Sequence, residues 1–204
     1  MAILNREFYM GNTVEIAKKL LGKYLVRRLG DELLVCRITE TEAYVGAVDK
    51  ACHAYGYRKT RRNAVMFGDA GHAYLYLIYG MYTCLNFVTN PVGEPDAVLL
   101  RGLEPVCGAE TMSRLRFGKT PDQLTPYQRK NFCNGPGKCC QALFLDTSLN
   151  GTDPTGDVLF LCDSPADIGL PDAPQPPREI TAGKRIGIDY AEEAKDFLWR
   201  FTLC

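Results

Sequence analysis

The sequence predicts an α+β fold in a single compact domain spanning residues 1–204, and three observations carry that prediction. Two stretches, residues 23–39 and 73–88, each place two apolar, β-favouring runs around a short glycine-containing turn, the signature of antiparallel hairpins. Helical signals are few and short, lying beside these hairpins rather than replacing them. The length of 204 residues suits one domain, with no internal repeat or low-complexity tract to divide it.

The elements follow in order. Asn12 with Glu15 three positions on is a variant of the capping box, and Ile16, Ala17, Leu20 and Leu21 share one helical face that Gly22 can end. Residues 23–29 and 32–39 form the first hairpin about Gly30-Asp31. Glu40 and Glu42 then lie on one face of the strand end, because side chains alternate with period two. Residues 45–71 are irregular and polar, a long loop of the kind that is usually functional inside a compact domain. The second hairpin runs over residues 73–78 and 81–88 with Tyr79-Gly80 at its tip. Residues 97–102 read as a strand, 110–116 as a helix, and 135–143 as a helix opened by Gly and Pro. Residues 158–162 and 184–188 read as short strands and 191–195 as a helical turn. The proline-rich stretch 165–177 reads as a surface loop.

Composition narrows the function classes. Hydrophobic residues at 46% and charged residues at 24% are ordinary for a globular protein, and neither a signal peptide nor a membrane-length apolar run is evident, so the expected location is the cytoplasm. Formal net charge is zero, but residues 146–177 hold six Asp without any Lys, Arg or Glu, while residues 178–204 balance. The first 145 residues therefore carry 19 basic against 13 acidic residues, a positive body that suits a polyanion. The nine cysteines lack Cys-x-x-Cys spacing and only two His accompany them, so they read as reduced, mostly buried thiols, and neither metal nor cofactor is expected.

The candidate chemistry is concentrated between residues 38 and 82. Glu40 and Glu42 read either as an exposed strand edge or as a site for a general base. Arg58, Lys59, Arg61 and Arg62 read either as a solvated loop or as a phosphate-contacting one. Tyr74, Tyr76 and Tyr82 suit strands packed on a core. Tyr79 sits at a hairpin tip, where a core aromatic has nothing to pack against, and a large ring there suits insertion into a base stack. His53 is a loop histidine whose default is structural. The Gly135 to Lys138 segment opens a helix and offers an anion cradle, without the spacing of a nucleotide-hydrolysing P-loop. No His-x-Glu precedes a Pro-Cys-x-x-Cys, which argues against a zinc deaminase.

Several segments together resemble the alkyladenine (3-methyladenine, methylpurine) DNA glycosylase family. They are Glu40-Thr-Glu-Ala-Tyr44, residues 49–53, Arg62-Asn63, Tyr74 through Tyr82, Cys84-Leu-Asn86, Val98-Leu-Leu-Arg101, Gly135-Pro-Gly-Lys138, Arg185-Ile-Gly-Ile188 and Trp199-Arg-Phe201, in family order over nearly the whole chain. The resemblance implies a curved, open-barrel-like antiparallel sheet flanked by helices, with a protruding hairpin that enters the minor groove. It implies a monomer acting on double-stranded DNA that contains damaged purines of the 3-methyladenine, 7-methylguanine, hypoxanthine and ethenoadenine class. Glu42 would activate the attacking water and Arg101 would fix the flipped nucleotide. Tyr44, His53 and Tyr76 would hold the flipped base, Asn86 would obstruct the 2-amino group of guanine, and Tyr79 would fill the gap in the helix. Arg58, Lys59, Arg61, Arg62 and Lys138 would meet phosphates. Thr60-Arg61-Arg62 departs from the family's usual Thr-Pro-Arg, which adds charge to that loop. A non-catalytic nucleic-acid-binding module with the same aromatic pocket is the alternative, and a cysteine-based zinc enzyme the third reading.

Overall fold

A computed structural model of the protein describes residues 3–172 and 179–204. One antiparallel sheet organises it. Strand β1 (Tyr24–Leu29) pairs with the first half of β2 (Glu32–Tyr44), and β5 (Asp96–Cys107) runs along the other edge of β2 for most of its length. The hairpin β3 (Ala73–Ile78) and β4 (Tyr82–Thr89) extends the sheet beyond β5, while β6 (Leu159–Cys162) closes the far side against β1. Strand β7 (Ile180–Gly183) pairs with β8 (Arg200–Leu203), and β8 lies against the second half of β2 where β1 has ended. The sheet thus branches at β2 and curls into a half-barrel, the curved α+β architecture that the resemblance implied.

The period-two alternation of strands assigns the two faces different work. Leu75, Leu85, Phe87, Val98 and Leu100 join the main core beneath helix α1 (Thr13–Leu20) and helix α4 (Pro136–Ala142). Helix α2 (Ala109–Phe117) adds Met112 to that core. On the same side the Thr41 hydroxyl donates to the Ala17 carbonyl of α1. The opposite face carries Tyr74, Tyr76, Val88 and Ala97, which pack against Cys52, Ala54 and Met66 from the loop at residues 45–71. Glu40, Glu42 and Tyr44 belong to this second face by the same alternation.

Both predicted hairpins form, and Asn12 caps α1 by accepting the Glu15 amide. Strand β2 runs five residues past the predicted end, since β5 and β8 pair with it as far as Tyr44 and Glu42. The predicted strand at 184–188 is corrected. The strand is β7, at Ile180–Gly183, and beyond it the backbone leaves the sheet because Arg185 is drawn inward to Asp49 and the Ile186 amide is taken by Glu42. Helix α3 (Pro126–Lys130), capped reciprocally by Thr125 and Gln128, and strand β8 were not predicted. The stretch 165–177 begins with a short 3-10 turn at Pro165–Ile168, and its residues 173–177 lie outside the described residues.

Candidate active site

A cavity of about 330 Å³ opens on the second face of the sheet, between the loop at residues 45–71, the β3–β4 hairpin and the segment following β7. Its strand residues are those that alternation turns away from the main core: Tyr44 from β2, Tyr76 from β3, Asn86 from β4, Leu99 and Arg101 from β5.

Glu42 lies beneath the floor, covered by the lining residues Tyr44, Arg101 and Ile186, and its side chain is 0% exposed. The Tyr44 hydroxyl donates to Oε2 at 2.8 Å, and the Ile186 amide donates to Oε1 at 2.8 Å. Arg101 Nε stands 3.4 Å from the same Oε1. Burial pushes the Glu42 carboxyl above its usual range, and the Glu40 carboxylate pushes the same way; the Arg101 charge, the Ile186 amide and the Tyr44 hydroxyl oppose them. Tyr44 is correspondingly held as a neutral phenol, raised by burial and by the Glu42 charge.

One wall is aromatic. His53 Nδ1 is 2.9 Å from the Tyr74 hydroxyl, and the imidazole meets the Tyr76 ring edge-on with centroids 4.7 Å apart. The Arg62 guanidinium sits 4.8 Å from the Tyr76 ring centre. His53 keeps an open side, but crowding by the pocket wall and the Arg62 charge lower its pKa to about 4, so the ring is neutral at physiological pH. Asn86, buried opposite Tyr74 in the β3–β4 register, donates from Nδ2 to the Tyr74 carbonyl and faces the cavity between Tyr76 and Leu99.

At the mouth stands Tyr79, 80% exposed. Tyr79 and Gly80 both have positive φ, at 53° and 69°, the sign that the primed hairpin turns require. Glycine accepts this freely, whereas Tyr79 adopts it at a cost of about 1–3 kcal/mol typical of a strained backbone position.

The basic residues are distributed unequally. Arg58, Lys59 and Arg61 are exposed on the loop, and Arg62 reaches back to the Leu77 carbonyl and the pocket wall. Asn63 shapes this loop, accepting from Thr60 and donating to the carbonyls of His53 and Arg58. Lys138 stands apart from that group, with Nζ bonded to the side chains of Asn131 and Asn134 at 2.8 Å each.

The predicted set is therefore largely gathered in one place, with Arg101 at the floor and Glu42 buried behind it, Tyr44, His53, Tyr76 and Asn86 around the cavity, and Tyr79 at the mouth. Sequence reasoning gave no role to the structure behind them. Arg185 is fully buried, paired with both oxygens of Asp49 at 2.5 and 2.8 Å, and lies 4.8 and 5.1 Å from the ring centres of Tyr44 and Trp199. It also donates to the Ala43 and Ala194 carbonyls. Asp49 accepts in addition from the Val45 and Ala51 amides, so one ion pair fixes the start of the loop, the back of Tyr44 and the segment that presents Ile186. The only signal was that both residues fall in the matched segments; no local pattern joins positions 136 apart. Tyr190, which also lines the cavity, carried no signal.

Among the described residues, no group of three or more His, Cys, Asp or Glu side chains is placed to hold a metal ion, and no helix is long and apolar enough to cross a membrane.

Comparison with known proteins bears on this site. The profile of a family described as Methylpurine-DNA glycosylase (MPG) matches residues 7–204. A protein of Clostridium novyi (strain NT) is 47% identical over 203 residues, covering 100% of this chain and 96% of its own length. One of Clostridioides difficile (strain 630) is 46% identical over 201 residues, covering 98% of this chain and 100% of its own. One of Alkaliphilus oremlandii (strain OhILAs) is 48% identical over 200 residues, covering 98% and 95%. All three bear the name "Putative 3-methyladenine DNA glycosylase".

Proposed function

Because the chain belongs to the methylpurine-DNA glycosylase family, we propose that it releases damaged purines from duplex DNA by hydrolysing the N-glycosidic bond with a water activated by Glu42. The observation that carries this reading is a carboxylate buried directly behind the floor of a cavity walled by aromatic rings and separate from the main core, in contact with three residues that line it. A volume of about 330 Å³ is at the small end of ligand pockets, suited to a single ring system rather than a whole nucleotide pair. A base reaches such a cavity only by leaving the stack, at a cost of a few kcal/mol that is smallest for a damaged or mispaired base.

In this reading Tyr79 enters the duplex and occupies the vacated position, while Tyr44, Tyr76 and His53 stack on the extruded base. Each base–aromatic contact contributes about 1–3 kcal/mol. Neutral His53 is consistent with purines that are already cationic, since a protonated imidazole would repel them. Asn86 excludes the 2-amino group of normal guanine. Arg58, Lys59, Arg61, Arg62 and Lys138 contact phosphates.

The chemical step breaks the C1′–N bond, and the purine leaves with the bonding electrons as charge builds on the sugar. Glu42 takes a proton from the water that attacks C1′, and its negative charge favours the oxocarbenium-like sugar. A carboxyl raised by burial is the stronger base for that proton transfer. Arg101 holds the nucleotide and the water in line. Among the described residues no Lys lines the cavity, which supports a monofunctional enzyme that leaves the sugar-phosphate backbone intact. The working unit is a monomer, and its place is the cytoplasm.

The test is a panel of duplexes, each with one 3-methyladenine, 7-methylguanine, hypoxanthine or ethenoadenine. Free base should appear from one or more of them, with the strand intact until alkali is added. Binding without base release from every duplex would favour a recognition module instead.

A further inference from the structure

The carboxylate beside the proposed base has no part in the reaction as described so far, yet its contacts are specific. Glu40 Oε1 lies 3.4 Å from Arg101 Nε and 3.0 Å from Arg200 Nη1. Arg101 Nε is also 3.4 Å from Glu42 Oε1, but its single N–H is directed at Glu40, with which alone it makes a hydrogen bond. Arg200 is itself held, donating from Nε to the Lys184 carbonyl at 2.7 Å. No described residue accepts a hydrogen bond from the two terminal nitrogens of Arg101, and Arg101 lines the cavity.

The backbone is built around this contact. The β2–β5 register shifts on both sides of Glu40, which pairs with Gly102, so that Thr39 and Arg101 fall outside the regular pairing. Such irregularities re-aim side chains. A methyl group at Gly102 would come within 2.8 Å of Glu40 Cβ and Thr39 Oγ1, so only glycine lets the strands approach this closely.

We propose that Glu40, anchored by Arg200, is a positioning residue: it takes the Nε–H of Arg101 and so aims the guanidinium's open edge into the cavity instead of letting it close on Glu42. The proposal rests on the roles assigned above to Glu42 and Arg101. Its consequence is that Glu42 keeps lone pairs for water. A carboxylate has about four acceptor positions, and the recorded hydrogen bonds, from Tyr44 and Ile186, occupy two. Without Glu40, Arg101 would turn to the nearest remaining carboxylate and form a charge-assisted pair that competes with the water.

The experiment compares Glu40→Met, which removes the acceptor, with Glu40→Gln, which keeps an acceptor oxygen and removes the charge. Single-turnover base release from a hypoxanthine duplex is followed against pH, with lesion affinity measured alongside and Glu42→Gln as reference. Glu40→Met should be at least tenfold slower with affinity changed by less than threefold. Glu40→Gln should recover most of the rate, with the acidic limb displaced to lower pH because a like charge next to Glu42 is gone. Should Glu40→Met fail to fold, the same Gln profile decides: a displaced limb with the rate retained upholds the proposal, and an unmoved limb or a lost rate overturns it. A folded Glu40→Met at the wild-type rate beside an inactive Glu42→Gln overturns this inference alone. An active Glu42→Gln removes the reading of the site and this inference with it.

Discussion

At the scale of single residues, the site turns on how one carboxylate is held. Glu42 is out of contact with bulk water, and it receives donors from a strand neighbour, Tyr44, and from Ile186, which lies 144 positions away. The Tyr44 hydroxyl favours the ionised carboxylate, so removing it leaves burial less opposed and Glu42 displaced further upward. The general base must be ionised to act, so a higher pKa moves the acidic limb of the pH–rate profile to higher pH. Tyr44→Phe should show that displacement in single-turnover rates, with loss of activity confined to the acidic side. An unmoved limb, or one moved to lower pH, would show that the hydroxyl does not act on Glu42. Spacing alone placed Glu40 and Glu42 on one face, and the structure agrees, since both meet Arg101. What separates them was not legible. Glu42 is closed off by Tyr44, Ile186 and Arg101, whereas Glu40 remains 18% exposed beside Arg200, and Ile186 and Arg200 arrive from the far end of the chain.

At the scale of elements, local alternation and turn chemistry were legible where they suffice to determine structure. The β1–β2 and β3–β4 hairpins formed as read because each carries its own register and glycine turn. The segment at 184–188 has the alternation of a strand, Ile186 and Ile188 about Gly187, but distant partners took its polar groups: Asp49 for Arg185, Glu42 for the Ile186 amide. Strand β8 is four residues long, too short for a pattern to declare itself. The β3–β4 tip yields the clearest prediction at this scale. Tyr79 packs on little of the protein, so Tyr79→Ala should leave stability within about 0.5 kcal/mol, as surface changes do. If the ring enters the duplex, the same change should weaken lesion binding by about 1–3 kcal/mol, the worth of a base–aromatic stack. Titration of a lesion duplex measures the second quantity, and an unchanged affinity would remove Tyr79 from the interface.

At the scale of the whole molecule, the cavity depends on segments from three parts of the chain meeting at one ion pair. Asp49 and Arg185, both fully buried, tie the start of the long loop to the segment after β7, with Trp199 and Tyr44 against the guanidinium. Removing one partner of a buried pair leaves the other charge uncompensated and typically costs about 3–5 kcal/mol. Asp49→Ala should therefore lower the urea midpoint by a corresponding amount at unchanged slope, and a loss below about 1 kcal/mol would mean that the pair is dispensable. The charge distribution also becomes physical at this scale. Asp153 pairs with Arg6, Asp163 with Lys23, and so part of the acidic stretch at 146–177 neutralises basic residues of the N-terminal region. Arg58, Lys59 and Arg61 remain exposed on the loop beside the cavity.

Single-turnover release of hypoxanthine from a duplex by wild type and by Glu42→Gln decides whether Glu42 is the base that activates water. The amide keeps the shape of the side chain and accepts protons poorly. Glu42→Gln should bind the lesion duplex within a few-fold of wild type and release no base above the uncatalysed rate; release at a rate comparable to wild type would exclude Glu42 as the base.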